Sequence, residues 1–184
     1  MLQDATLDSE QTSNFDEDIQ RAAVVVLGGL HSALRASGGS LATQRLLFLG
    51  AGKAAIGIAD LVVSAMVSQG VPPARARSVC WLFDSRGLVV SRRGDLAWCK
   101  RPYAHEHELV LDFRSAVHRL KPTAIVGVAG VAGVAGEFTR EVIAEMARVN
   151  DRPLVFVLSK PASKAECSAQ QADEWSGGRA VFYA

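Results

Sequence analysis

Leu46-Leu47-Phe48-Leu49-Gly50-Ala51-Gly52-Lys53-Ala54-Ala55-Ile56-Gly57 is the stretch from which the rest of the sequence is read. Leu46 to Leu49 form an apolar run without alternation, the mark of a strand buried on both faces of a parallel sheet. Glycine follows at once. From Ala54 to Val67 the residues Ala55, Ile58, Val62 and Met66 then fall on one face of a helix. A strand, a glycine turn and a helix in that order is the context that gives the common Gly-x-Gly pattern its meaning. Gly50 permits a tight turn. Gly52 has no side chain, so a pyrophosphate can reach the backbone, and Ala55 is small enough for helix and strand to pack closely. The first N–H groups of the helix and its dipole point at the phosphates. Gly50, Ala51, Gly52, Ala54 and Ala55 are therefore the candidate pyrophosphate-binding residues. The competing reading is a glycine turn needed only for packing.

Upstream, Ile19, Ala22, Ala23, Val26, Leu27, Leu30 and Leu34 predict a mostly buried helix over 19–36, ended by Ser37-Gly38-Gly39-Ser40. Residues 1–14 read as a polar tail and 15–184 as one domain. Downstream, Trp81-Leu82-Phe83 predicts a second strand ending at Asp84. Ser85-Arg86-Gly87 is a turn, and Leu88 to Val90 continue extended. His105 to Leu120 reads as a helix stopped by Lys121-Pro122. Core strands are expected at 124–128 and 154–158, helices at 139–149 and 168–175, and a last short strand at 180–183. Between Gly127 and Gly136 a three-residue glycine-valine-alanine unit repeats, which reads as an expanded loop after the third core strand. Strand and helix alternate throughout. The expected fold class is α/β: a Rossmann-type, doubly wound, mainly parallel sheet with helices on both faces.

In such a fold an acid ending the second strand accepts the adenosine ribose hydroxyls. Asp84 takes that place. It lies about 30 residues after the glycines rather than the usual ~20, the excess being the connection from Val71 to Ser78. A solvated strand-end acid is the alternative.

Composition bounds the function. The chain has 184 residues, 49% hydrophobic and 21% charged, with a net charge of +1. That is globular composition without the basic excess of a nucleic-acid binder. No apolar run reaches the ~20 residues needed to span a membrane. Cys80, Cys99 and Cys167 form no CxxC pair or zinc pattern. His105 and His107 flank Glu106 at the wrong spacing for a helical zinc site. The acidic first residues fit neither a secretory leader nor an organellar one, so a cytoplasmic location is expected, with an organelle left open if a segment precedes Met1.

Several ordered motifs now carry a resemblance. Phe48 to Ala59, Trp81 to Val89, Pro102-Tyr103-Ala104-His105-Glu106-His107, Lys121-Pro122-Thr123, Arg152-Pro153, Ser163-Lys164-Ala165-Glu166-Cys167, Gly178-Arg179 and, upstream, Asp18-Ile19-Gln20 resemble the NAD(P)-binding domain of the malic enzyme family. The resemblance implies oxidative decarboxylation of (S)-malate to pyruvate and carbon dioxide. It implies a nicotinamide cofactor and a divalent Mg²⁺ or Mn²⁺ acting as Lewis acid. It makes Asp18 the last metal carboxylate; without it, Asp18 reads as a helix-start carboxylate. It places Val128, Ala129 and Gly130 after the third core strand, and Ser159 and Lys160 after the fourth, against the cofactor. Members of the family that use NADP carry a serine after the strand-end acid and a lysine two residues before the Pro-aromatic motif, here Ser85 and Lys100. The expected cofactor is therefore NADP, with NAD the alternative. Lys100 would pair with the 2′-phosphate and offset repulsion from Asp84. Arg86, Arg92, Arg93 and Arg101 add positive charge, unless this is simply a solvated basic loop.

The resemblance also implies what must come from elsewhere. The family's tyrosine and lysine for acid-base chemistry, and a Glu-Asp pair completing the metal site, belong to a preceding domain, so no complete catalytic set is expected here. A missing N-terminal domain or partner chain, a homo-oligomer in the complete enzyme, and malate and pyruvate as small-molecule substrates are the implied partners. Arg21 and Ala22 replace Gly-Thr, Lys53 replaces an acid, and Lys160 replaces an asparagine of the family pattern. The alternative function is a stand-alone or decayed nucleotide-binding fragment without catalysis. A methyltransferase, which also uses a glycine loop and a strand-end acid, fits less well with the motifs after Pro102.

Overall fold

Every residue of β1 (Leu46–Leu49) is buried, and its alternation divides the core in two. Leu46 and Phe48 enter one hydrophobic cluster, Leu47 and Leu49 the other. The same split runs through β4 (Ala124–Gly127), with Ala124 and Val126 against Ile125, and through β5 (Leu154–Val157), with Leu154 and Phe156 against Val155 and Val157. A strand covered on both sides cannot alternate apolar with polar residues, which is why these runs are uniformly apolar. The computed structural model describes residues 4–37, 40–128, 137–159 and 165–184.

One face of the sheet is covered by α1 (Asp4–Ser37), α2 (Lys53–Ser68) and α3 (Pro73–Val79), which contribute Val26, Leu30, Ile58, Met66 and Val79. The other is covered by α4 (Phe113–Leu120), α5 (Arg140–Val149) and α6 (Ala169–Ser176), with Phe113, Val117, Ile143, Met146 and Ala172. With β2 (Cys80–Asp84), β3 (Gly87–Leu88) and β6 (Val181–Tyr183), the six strands are ordered β3-β2-β1-β4-β5-β6. All neighbours are parallel except β3, which turns back along β2. The chain builds outward from β1 in one direction and from β4 in the other. The resulting crevice at the carboxyl ends of β1 and β4 is where such sheets bind ligands.

Three elements depart from the sequence expectation. First, α1 begins at Asp4, so the backbone of the expected polar tail is helical from that residue on. Nothing between Asp4 and Ile19 is glycine or proline, and extending an existing helix costs far less than starting one. Second, the connection from Val71 to Ser78 contains α3: Pro73 supplies a preset φ at its first residue, so a helix starts there after α2 has ended at Ser68. Third, the helix expected over 105–120 starts only at Phe113. The Asp112 side chain accepts the Ser115 N–H at 2.8 Å and sets the start. The preceding segment instead runs along the sheet edge, the Ser91 N–H meeting His105 O at 2.9 Å and the Leu88 N–H meeting Val110 O at 2.8 Å.

Where α4 and α5 pack together, Glu145 lies buried. It accepts hydrogen bonds from Arg148 at 2.6 and 3.0 Å and lies 2.8 Å from His118 Nδ1. Arg148 above all holds the Glu145 carboxyl down at about 2. A depressed carboxyl contributes stability above its unfolded value that is lost as pH falls through its folded one. Glu145→Gln should therefore lower the thermal midpoint at neutral pH. The gap from the unaltered chain should close between pH 4.5 and about 2 in a pH series of melting curves. A gap that persists at pH 2 would contradict the assignment.

Candidate functional site

The two glycines of the turn after β1 are glycines for different reasons. Gly50 has φ +117° and donates its N–H to Phe83 O at 2.8 Å, tying the turn to the end of β2. An L side chain is strained in that conformation. Gly52 has φ −83° and ψ −176°, extended backbone that any residue adopts, and a Cβ there would meet nothing within 4 Å. It is exposed and caps α2 without a side-chain hydrogen bond. The fold therefore needs glycine at position 50 but not at 52. The first N–H groups of α2 have no partner within the helix, and its first turn carries no acid, only Lys53. That cation opposes the helix dipole but adds to the attraction for an anion. Behind the turn Ala55 is buried, in keeping with the close packing expected of it; Ala51 is also buried and Ala54 half-buried.

Asp84, at the end of β2, is enclosed by cations. Arg93 binds it through both guanidinium nitrogens at 2.9 and 3.2 Å, Lys100 Nζ reaches Oδ2 at 2.5 Å, and the Arg86 N–H donates to Oδ1 at 2.9 Å. Burial alone would raise the Asp84 carboxyl; the bonds from Arg93, Lys100 and the Arg86 N–H outweigh it and hold the group below the ordinary carboxylate range. Arg93 also binds Asp95, as does Arg86. The cluster thus sets Arg86, Arg93 and Lys100 against Asp84 and Asp95, an excess of one positive charge (3 − 2). Ser85 is exposed on the turn that follows. A cavity of about 330 Å³ opens beside the cluster, lined by Ser91, Arg93, Gly94, Leu96, Arg101 and Ala104. The strand-end position brought Asp84 into view, and the family resemblance brought Lys100. Neither singled out Arg93 as the bidentate partner of Asp84, and both missed Asp95, since a charged loop offers no periodicity from which to pair its members.

Past β4, Val128 is half-buried and its N–H meets Leu49 O at 3.1 Å, so the chain leaves β4 alongside the glycine turn. Past β5, the Ser159 hydroxyl donates to Glu166 Oε1 at 2.5 Å. Ala129, Gly130 and Lys160, expected at the cofactor, lie outside the described residues, as does the repeated glycine-valine-alanine unit from Ala129 on. Gly50, Asp84, Val128 and Ser159 thus stand at the carboxyl ends of β1, β2, β4 and β5, along one edge of the sheet. Asp18 is exposed on α1, beside Ile19, whose side chain fills the space over Gly57 of α2. Since α1 starts at Asp4, Asp18 is not a helix-start residue, and the capping alternative for it is withdrawn. Among the described residues no three His, Cys, Asp or Glu side chains gather as a metal cage. One carboxylate such as that of Asp18 is a fraction of the near-octahedral oxygen set that Mg²⁺ takes.

A parallel sheet in this order, with a glycine turn at the switch point and an acid closing the second strand, defines a dinucleotide-binding domain of the Rossmann type. Residues 19–184 match the family model described as "Malic enzyme, NAD binding domain", and the chain belongs to the malic enzyme family. It is 46% identical over 168 residues to the NADP-dependent malic enzyme of Mus musculus, covering 91% of this chain and 29% of that protein. To the NADP-dependent malic enzyme of Vitis vinifera it is 48% identical over 170 residues, covering 91% and 28%. Among solved structures, the NAD-dependent malic enzyme of Thermotoga maritima shares the fold with a TM-score of 0.63 at 18% identity, over 90% of this chain and 40% of that one. The chain thus spans under a third of the length of these curated relatives. Among the described residues no helix is long and apolar enough to cross a membrane.

Proposed function

We propose that this chain, over residues 15–184, is the NADP-binding domain of a malic enzyme that oxidatively decarboxylates (S)-malate to pyruvate and carbon dioxide. The observation that carries the cofactor role is Gly52, a glycine the fold does not need, at the open amino end of α2. Gly50 to Ala55 hold the pyrophosphate. Asp84 and Ser85 face the adenosine ribose, and Lys100, with the net positive cluster around Asp84, receives the 2′-phosphate. Val128, Ala129, Gly130, Ser159 and Lys160 border the nicotinamide half. The Mus musculus and Vitis vinifera relatives are NADP-dependent, which supports NADP over NAD. Asp18 would supply one carboxylate toward Mg²⁺ or Mn²⁺, which when bound would provide Lewis-acid chemistry. The ion's other ligands and the acid-base residues come from an N-terminal domain or partner chain, in a homo-oligomeric cytoplasmic enzyme.

The second reading is a nucleotide-binding module without turnover. It is favoured by Arg21, Ala22 and Lys53, which depart from the family pattern. An assay of the purified chain with malate, Mn²⁺ and NADP⁺, alone and with a malic enzyme N-terminal domain added, tests the two. Turnover that appears only in the mixture supports the domain reading, and none in either supports the module.

Cofactor choice has its own test. Lys100→Ala should weaken NADPH binding about 10- to 100-fold, the worth of a charged hydrogen bond to phosphate, and leave NADH binding nearly unchanged. Asp84 keeps Arg93 in that variant, so the fold is retained. Fluorescence titration with both nucleotides reads the result. Equal affinity of the unaltered chain for both would remove the NADP preference.

A further inference from the structure

We propose that Glu166 is a positioning residue that fixes Ser159, and through it the cofactor-facing ends of β4 and β5; the inference rests on the cofactor role proposed above. Glu166 is 1% exposed, a rare burial for a carboxyl side chain. Its Oε1 accepts the Ser159 hydroxyl at 2.5 Å. Ser159 lies just past β5 and Glu166 shortly before α6, so the bond ties the exit of β5 to the approach to α6. The carboxyl group also occupies the space that a Cβ on Gly127, the last residue of β4, would take. Gly127 O in turn accepts the Leu158 N–H at 2.9 Å, and the next residue, Val128, is held to β1 through Leu49 O.

Glu166 therefore stands over the junction of β4 and β5, at the sheet edge where the crevice opens. Burying a polar group costs free energy unless its hydrogen bonds are made, and an apolar side chain would serve packing alone. A short hydroxyl-to-carboxyl bond is directional, so it selects one orientation of Ser159. Gly127 belongs to the same device: only a residue without a side chain leaves room for the carboxyl group. Glu166 does not itself reach the cofactor in this account; it acts through Ser159.

The test uses Glu166→Ala, Glu166→Gln, Ser159→Ala and Gly127→Ala in the full chain. NADPH dissociation constants, melting temperatures and hydrogen exchange of the unliganded protein are measured together. Glu166→Ala and Ser159→Ala should each weaken NADPH binding about tenfold, the worth of the lost contact. The double variant should lose no more than one of them, because the two side chains act as one unit. Glu166→Gln, whose amide oxygen still accepts the Ser159 hydroxyl, should restore binding. Gly127→Ala should displace the carboxyl group and reproduce the loss with both partners present, so the test survives if Glu166→Ala fails to fold. In the absence of ligand, the Leu158 and Val128 amides should exchange faster in Glu166→Ala, beyond any change in global stability. Unchanged NADPH affinity in Glu166→Ala, or additive losses in the double variant, would overturn the proposal. If the unaltered chain binds no NADPH, the cofactor role fails separately, and unchanged exchange at Leu158 in Glu166→Ala then overturns the positioning role.

Discussion

Gly52→Val is expected to leave unfolding by urea within about 0.5 kcal/mol of the unaltered chain, while weakening NADPH binding at least about 100-fold. The two halves of that result come from different facts. Gly52 has ordinary extended backbone and open space around its Cβ position, so valine costs the fold little. In the proposed cofactor role the same open space admits the pyrophosphate to the backbone N–H groups of α2, and a branched side chain would fill it. Gly50→Val is the contrasting variant. Its φ of +117° strains any L side chain, so it should lose stability by about 1–3 kcal/mol along with binding. A Gly52→Val protein that binds NADPH normally would mean that the turn serves packing only.

Asp84→Ala carries the second large effect, and it falls on stability as well as on ligand. The Asp84 side chain is 11% exposed and the Arg93 side chain 7%. Removing the carboxylate leaves a buried guanidinium with Asp95 as its remaining acidic partner, and frees Lys100 toward solvent. Breaking a fully buried pair costs about 3–5 kcal/mol. Because Lys100 is partly exposed and Arg93 keeps Asp95, a loss of about 2–3 kcal/mol is expected in urea unfolding at neutral pH. That is a large share of a domain's stability. The Asp84 carboxyl is depressed in the folded chain, so its contribution is present above the ordinary carboxylate range and fades as pH falls through it. The difference between Asp84→Ala and the unaltered chain should therefore shrink in acid. A loss that is the same at pH 7 and pH 2 would show that packing, not charge, is what Asp84 supplies.

The elements legible in the sequence are those whose signal is local and uniform. β1, β4 and β5 are unbroken apolar runs, and each forms a central strand. The turn from Gly50 to Gly52 needs only its own residues and its flanks. The errors arose where a local signal had two readings. Apolar residues between His105 and Leu120 fit a helix, but Asp112 is a better cap than an interior residue, and the first part of that segment pairs along the sheet edge instead. The stretch from Val71 to Ser78 reads as a plain connection, yet Pro73 within it starts a helix. What stayed invisible was pairing across sequence distance. Arg93 and Lys100 close on Asp84 from 9 and 16 positions away, and Asp95 joins them through Arg93. The Ser159–Glu166 bond over Gly127 depends on the register of β4 with β5, which no single segment encodes.

Direct titration of the purified chain with NADPH and NADH, read by nucleotide fluorescence and repeated with Gly52→Val, tests the central claim most directly. Saturable binding with NADPH the tighter ligand is expected, with loss of that binding in a Gly52→Val protein that melts like the unaltered chain. Absence of saturable binding of either nucleotide to the folded chain, or equal binding by Gly52→Val, would contradict it.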